Sequence, residues 1–457
     1  MIRMSLAATA LHAVCLWAVP ATAQSAQDAL DTRYDRALAA GYKALMLCSA
    51  IANTERNAGV LTRTPESVHQ WELTGIYPSL DPIIRDLPYE IVRAADGRVN
   101  HVEVQWVADM PPRYARHDIG EGCKVLPIGS PEPSLSRWDM NLFERPYTNM
   151  HSAVGGALYD AGRAAFTENY GEGTRTSAVI VVKDGRTSVA DFAEDRRGEP
   201  QRTWSVAKSI AATLVGAAVY RGEADVNASA GLGADENDPR RAITIDHALR
   251  MASGRYSDTP GNRTDPLYWG GATVDERAQN WPLIHKPGTV YRYANNDTLA
   301  AVQAIEATFV GHPLAEFFAK IGMHHTVAET DWQGNNVLSS QVWATAEDLA
   351  KLGQLYLDDG VLPNGERILP EGWVEYVTTP SGPQPATGTF GYGAGFWLLN
   401  KEDGVPTDTF AAIGNRGQYV VIVPSRNVVI VRRGEDPAGA RFDIVTFTRD
   451  VLAALDK

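Results

Sequence analysis

Ser205 and Lys208 stand three residues apart at the head of a strongly apolar run. From Val206 to Tyr220 nearly every residue is Ala, Val, Ile or Leu, and Lys208, Ser209 and Thr213 are the clearly polar exceptions. A helix apolar on all sides belongs in an interior, and this one is too short for a membrane span of about 20 residues. Residues at i and i+3 on a helix are neighbours, about 5–6 Å apart at Cβ, so Lys208 reaches the Ser205 hydroxyl. Burial and the positive helix N-terminus both favour the neutral amine, which can take the serine proton. In the plainer alternative Ser205 only caps the helix and Lys208 extends to solvent. A lone Ser-x-x-Lys pair is common by chance, so the chemistry needs partners elsewhere in the chain.

Two later stretches offer them. Lys286-Pro287-Gly288-Thr289 leads to Tyr293-Ala294-Asn295, ahead of an apolar helix expected over Thr298 to Phe309. Near the C-terminus, Gly414-Asn415-Arg416-Gly417-Gln418 opens a strand expected over Gln418 to Val423. A second Tyr-x-Asn, Tyr147-Thr148-Asn149, precedes the nucleophile beside Pro146 and reads as linker.

The elements that must position these residues follow from pattern. Ala178-Val179-Ile180-Val181-Val182 is a buried strand, turned by Lys183-Asp184-Gly185. Ile243 to Met251 forms a short helix ending at Ser253-Gly254, and Thr345-Ala346-Glu347-Asp348 reads as a capping box for a helix over Leu349 to Leu357. Strands over Gly395 to Leu399, Gln418 to Val423 and Val428 to Val431 precede a last helix, Phe442 to Leu455. Two halves of a sheet thus enclose a helical middle, an α/β arrangement. Residues 24–130 read as a separate small α+β domain: a helix over Ala26 to Ile51, then strands Tyr89 to Arg93 and Val102 to Val107 joined through Asp96-Gly97. Residues 131–174 form a Pro- and Ser-containing linker and the start of the catalytic domain, which occupies 175–457.

Residues 1–23 carry the marks of a secretory signal: Arg3, an apolar stretch from Met4 to Val19, and Ala21-Thr22-Ala23 before Gln24. The expectation is an exported protein, periplasmic or secreted, with no transmembrane anchor after cleavage. Export makes the two remaining cysteines, Cys48 and Cys123, candidates for a disulfide that would tie the first helix to the close of its domain. The net charge of −13, without a basic patch, argues against nucleic acid and anionic membranes as partners. No C-x-x-C or H-E-x-x-H spacing is present, and His324-His325 reads as a loop pair, so neither metal nor cofactor is expected. No Gly-x-Ser-x-Gly occurs, which argues against an α/β-hydrolase. Oligomeric state is not legible.

Taken together, Ser205-Val206-Ala207-Lys208, Tyr293-Ala294-Asn295 and the glycine-containing Asn415-Arg416-Gly417 resemble the motif order of the serine β-lactamase and penicillin-binding-protein superfamily. Leu249-Arg250-Met251-Ala252-Ser253-Gly254 and Asp348-Leu349-Ala350-Lys351-Leu352-Gly353 extend the resemblance toward its class C β-lactamase-like branch, which includes esterases, D-aminopeptidases and 6-aminohexanoate-dimer hydrolases. It covers about 175 to 445, while Gly41 to Cys48 and Gly122-Cys123 resemble the leading region of some exported members.

The resemblance implies a β-lactamase/transpeptidase-like fold, an antiparallel sheet flanked by helices with a helical subdomain. It implies Ser205 as nucleophile, Lys208 as its base and Tyr293 as second proton carrier, either as phenolate or through Lys208. Asn295 would bond substrate or Lys208, and the N–H groups of Ser205 and Gln418 would form the oxyanion hole. Asn415, Arg416 and Gly417 would stand where lactam-hydrolysing members carry Lys-Thr-Gly, or His in place of the Lys. Asn415 supplies no charge for a substrate carboxylate, which disfavours β-lactam and D-peptide substrates and favours a small-molecule ester or amide. The alternatives are a D-specific peptidase or β-lactamase, and a penicillin-recognising sensor that acylates without turnover.

Overall fold

The computed structural model describes residues 21–58, 63–134, 145–146, 155–193, 196–256 and 264–457. All but the last three residues of the expected leader, and the whole of Tyr147-Thr148-Asn149, lie outside them. Among the described residues no helix is long and apolar enough to cross a membrane.

Helix α1 (Ala21–Glu55) is followed by a four-stranded antiparallel meander, β1 (Tyr89–Arg93), β2 (Val99–Val104), β3 (Arg113–Asp118) and β4 (Gly122–Val125). Strand β2 begins and ends three residues before its expected bounds. Asn100 and His101, polar by type, are buried and bonded to each other at 2.8 Å, whereas Trp106 leaves the sheet to donate to the Pro111 carbonyl. The Asp96-Gly97 turn is present, with Gly97 at φ 87°.

Cys48 on α1 and Cys123 on β4 form a disulfide. It closes a loop of 75 residues, for which loop entropy alone gives about 4 kcal/mol. Reduction is therefore expected to lower the melting temperature by several degrees, and a scan with and without reductant checks it. An unchanged melting curve would remove the bridge from the account of stability.

After α2 (Ala157–Ala164), the chain builds a seven-stranded sheet in two instalments. The first is the hairpin β5 (Thr176–Lys183) and β6 (Arg186–Phe192). Between the instalments come β7 (Gln201–Arg202), α3 (Val206–Tyr220), α4 (Ile245–Leu249), α5 (Pro266–Trp269) and α6 (Asn295–Gln303), then β8 (Val327–Ala328), β9 (Val342–Ala344) and α7 (Ala346–Leu357). The second instalment is β10 (Gly391–Tyr392), β11 (Trp397–Leu398), β12 (Phe410–Gly414), β13 (Gln418–Val423) and β14 (Val428–Gly434), closed by α8 (Ile444–Leu455). The order β10-β11-β12-β13-β14-β5-β6 is antiparallel throughout.

Strand β5 is buried along all but its two end residues, which explains its unbroken apolar sequence. One face of the sheet packs on α3 and α7, the other on α2 and α8. Thr345 caps α7 by accepting from the Asp348 N–H at 3.1 Å, as the capping-box reading expects. The Asp348 carboxylate, however, turns to the His325 amide and the Thr326 hydroxyl, at 2.8 and 2.7 Å.

The leading segment shares its core with the rest of the chain, because Trp269 and Trp343 pack among its buried residues. Gly41 permits this closeness, since a Cβ there would press on the Trp269 carbonyl oxygen and stand 2.9 Å from the Arg113 guanidinium.

Candidate active site

Strand β7 is held to β9 where the Thr203 N–H donates to the Val342 carbonyl at 2.8 Å. The chain then turns sharply into α3 through Trp204, whose φ of 51° is left-handed and uncommon for a bulky residue. Such conformations persist where the surroundings over-determine them. Here the Arg202 guanidinium lies 3.8 Å from the centre of the Trp204 ring, and Trp204 is buried. Ser205 follows at the helix N-terminus, half-buried, and its side chain makes no capping bond. The simple cap of the plainer reading is therefore absent.

Lys208, 1% exposed, does not extend to solvent. Its Nζ lies 3.2 Å from Ser205 Oγ, 2.6 Å from Asn295 Oδ1 and 2.9 Å from the Ser339 carbonyl oxygen. Burial without a facing carboxylate pushes the Lys208 amine down to about 7. A neutral amine keeps two N–H donations, to Asn295 and Ser339, and turns its lone pair to the Ser205 hydroxyl.

Tyr293 reaches the same serine. Its phenol hydrogen-bonds Ser205 and Trp397, and burial pushes it up to about 12 despite those bonds. The neutral phenol is therefore the favoured form at ordinary pH. The Lys208 ammonium position is 5.0 Å from the Tyr293 ring centre.

The Tyr293 loop is pinned by the Met251-Ala252-Ser253-Gly254 stretch. Arg292 N–H donates to the Met251 carbonyl at 2.7 Å, and Gly288 N–H to that of Ala252 at 2.8 Å. Ser253 Oγ and Arg255 both bond Asp297 Oδ1, at 2.6 and 3.0 Å. These bonds explain why α6 starts at Asn295, three residues before the expected Thr298, and ends at Gln303, with a 3₁₀ turn from Glu306 to Val310. Its first turn is polar in sequence yet buried: the Asn295 side chain bonds Lys208, the Asp297 carboxylate bonds Ser253 and Arg255, and the Asn296 carbonyl accepts from Arg255.

The third expected motif lies elsewhere. Asn415, Arg416 and Gly417 form the turn between β12 and β13, since Gly414 pairs with Gln418 across the ladder. Arg416 and Gly417 have φ of 57° and 76°, which no strand residue adopts. Gly417 backs onto Arg432 and Asp436, and the Gln418 side chain accepts from Arg433 Nε at 2.5 Å. The glycine at the nucleophile is Gly414, where a Cβ would press on the Thr203 carbonyl oxygen and stand 3.2 Å from the Ser205 amide nitrogen. Two residues back on the same face stands Ala412, fully buried in the core. On either alignment, then, this strand brings no cation to a substrate carboxylate. Gly414→Ala, whose Cβ would push against Thr203 and Ser205, is expected to lower kcat/KM by about 10²-fold, as misplacement of reacting groups by about 1 Å does. A near wild-type value in ester hydrolysis would show that the strand edge does not support the nucleophile.

Sequence reasoning missed three participants. Tyr268, on the short α5, accepts from Asn295 Nδ2 at 2.9 Å and meets Ser339 Oγ at 3.2 Å. Ser339 acts on Lys208 through its backbone carbonyl, which has no residue-type signature, and Trp397 bonds Tyr293 from the sheet.

The family model for Beta-lactamase matches residues 163–449, more than half of the chain. The chain belongs to the Beta-lactamase family. It is a serine hydrolase of that family, related to the 6-aminohexanoate-dimer hydrolase of Paenarthrobacter ureafaciens, with 26% identity over 305 residues, 58% of this chain and 74% of that one. A candidate 6-aminohexanoate-dimer hydrolase from Bacillus anthracis superposes with a TM-score of 0.52 at 22% identity, covering 61% of this chain and 78% of the other. A penicillin-binding-protein homologue from Caulobacter crescentus gives 0.50 at 14% identity, over 66% and 99%. At these identities the two structures establish the shared fold, the β-lactamase/transpeptidase-like arrangement of sheet and helices.

Proposed function

We propose that this Beta-lactamase-family enzyme is exported and cleaves an ester or amide bond through an acyl group carried on Ser205. The observation that carries the reading is the contact of Ser205 Oγ with a buried lysine whose amine is pushed down to about 7. Lys208 takes the serine proton during attack, and Tyr293 relays it to the leaving group. The Ser205 N–H is one oxyanion donor. The other comes from the turn that Gly414 opens, where Asn415 follows directly and Gln418 sits across the ladder. Asn295 holds the Lys208 amine in line.

The uncharged Asn415 that follows Gly414 and the hydrolysis named for the Paenarthrobacter relative together favour a short linear amide or ester over a β-lactam. The Cys48–Cys123 bridge is in keeping with an oxidising compartment. The division into a leading segment over 24–130, a connecting stretch over 131–174 and a hydrolase domain over 175–457 belongs to the same reading. Turnover of p-nitrophenyl butyrate, 6-aminohexanoate dimer and a chromogenic cephalosporin tests it. Ester or dimer hydrolysis without cephalosporin turnover is expected, and the reverse pattern would overturn the substrate assignment.

A further inference from the structure

Beneath the β12–β13 turn, six charged side chains from two parts of the chain meet in a cluster. The leading segment supplies Arg63 and Glu72, and the hydrolase region supplies Arg196, Glu199, Arg416 and Glu435. Arg63 is bonded to Glu199 and stands 3.6 Å from Glu72. Arg416 stands 2.7 Å from Glu435 and 3.4 Å from Glu72, while Arg196 stands 2.9 Å from Glu199 and 3.8 Å from Glu435. Apart from Arg196, none of these side chains is more than 5% exposed. Three guanidinium groups thus face three carboxyl groups away from water, with Glu435 pushed up to about 7 by burial and by Glu72 beside it, so removing one partner disturbs the charge balance of the whole cluster.

Arg416 connects this cluster to the reaction. It is the middle residue of the turn that begins one residue after Gly414, and its φ of 57° needs outside support. Its Nε and Nη2 donate to the carbonyls of Asp436 and Glu435, each at 3.1 Å, and its own carbonyl accepts from the Asp436 N–H at 3.3 Å. Those partners lie just past the sheet of which the turn is part. The partner from outside is Glu72, whose backbone carbonyl is fixed in turn by the Tyr42 hydroxyl at 3.0 Å. Burial alone would raise the Glu72 carboxyl, but Arg416 and Arg63 outweigh it and hold the group below the usual carboxylate range.

We propose that Glu72, acting through Arg416, is a positioning residue for the reaction at Ser205. The leading segment holds the 415–417 turn in place and with it the amide donors set against the developing oxyanion. This rests on Ser205 as the nucleophile, and it gives the leading segment a role in turnover.

The test compares full-length wild type with Glu72→Gln, and with Glu72→Asp should the first variant not fold. Phenylboronic acid, which forms a tetrahedral adduct with a nucleophilic serine, serves as the probe of the oxyanion site. For Glu72→Gln its Ki is expected to rise about tenfold or more, with kcat lowered by about 10–10²-fold and KM within about twofold. Glu72→Asp, which keeps the charge on a shorter arm, is expected to fall between. Amide hydrogen exchange across 414–418 is expected to quicken while Val428 to Val431 of β14 stays protected.

A purely structural role would reduce the fraction of active enzyme and leave Ki and the local exchange pattern unchanged, and that result would overturn the proposal. If the wild type bound no boronate and turned over no ester, the Ser205 assignment would fail. Exchange at 414–418 would still decide whether Glu72 holds the turn.

Discussion

Ser205→Ala is expected to lower ester turnover by on the order of 10⁴–10⁶-fold while leaving the protein folded. Both halves follow from the geometry. Lys208 and Tyr293 both bond this hydroxyl, the nucleophile of the proposed mechanism, so on that mechanism its removal ends covalent catalysis and leaves only binding and oxyanion stabilisation. Yet the same hydroxyl makes no capping bond to α3, so the usual N-cap penalty of about 1 kcal/mol does not apply. Lys208 keeps Asn295 Oδ1 and the Ser339 carbonyl, so no buried charge is orphaned. Circular dichroism and melting of the variant beside its kinetics separate the two effects. A variant that kept more than about a tenth of wild-type turnover would be incompatible with a Ser205 acyl-enzyme of this kind.

Lys208→Met is expected to cost activity of similar size, and the double variant no more than either alone, because residues that act as a unit do not add. Methionine fills the buried volume without an amine, so what it removes is the proton acceptor. On this mechanism the same amine is expected to set the pH dependence. Below about 7 Lys208 holds its proton and has no lone pair for Ser205; above about 7 it is free to accept. Wild-type kcat/KM should therefore rise about tenfold per pH unit on the acid side and level off above neutrality. Tyr293, pushed up to about 12, adds no limb in that range. The residual activity of Lys208→Met should lack the limb near 7. A limb that survived the substitution would assign the titration to another group.

The fold and much of the candidate site are legible in the sequence because their signals are local. The apolar run after Ser205, the unbroken strand Ala178–Val182 and the Gln418–Val423 strand each declare themselves by periodicity or composition. What sequence reading lost depends on partners far along the chain. The first turn of α6 reads as loop because Asn295, Asn296 and Asp297 are polar; it is helical and buried because Lys208 bonds the Asn295 side chain, Ser253 the Asp297 carboxylate and Arg255 the Asn296 carbonyl. The sequence does not tell Gly414 from Gly417, because only strand register shows which glycine lies against Thr203 and Ser205 and which closes the turn. Ser339 contributes a carbonyl oxygen that any residue could supply. The contact between Glu72 and Arg416 joins residues 344 positions apart, which no local pattern encodes.

The most direct test of the central claim is to trap the covalent intermediate. Wild-type enzyme mixed with p-nitrophenyl butyrate, quenched in acid within the first turnovers and digested, is expected to carry one butyryl group on the peptide containing Ser205, absent from Ser205→Ala. A butyryl group on another residue, or turnover with no adduct in wild type beside undiminished turnover in Ser205→Ala, would contradict an acyl-Ser205 mechanism.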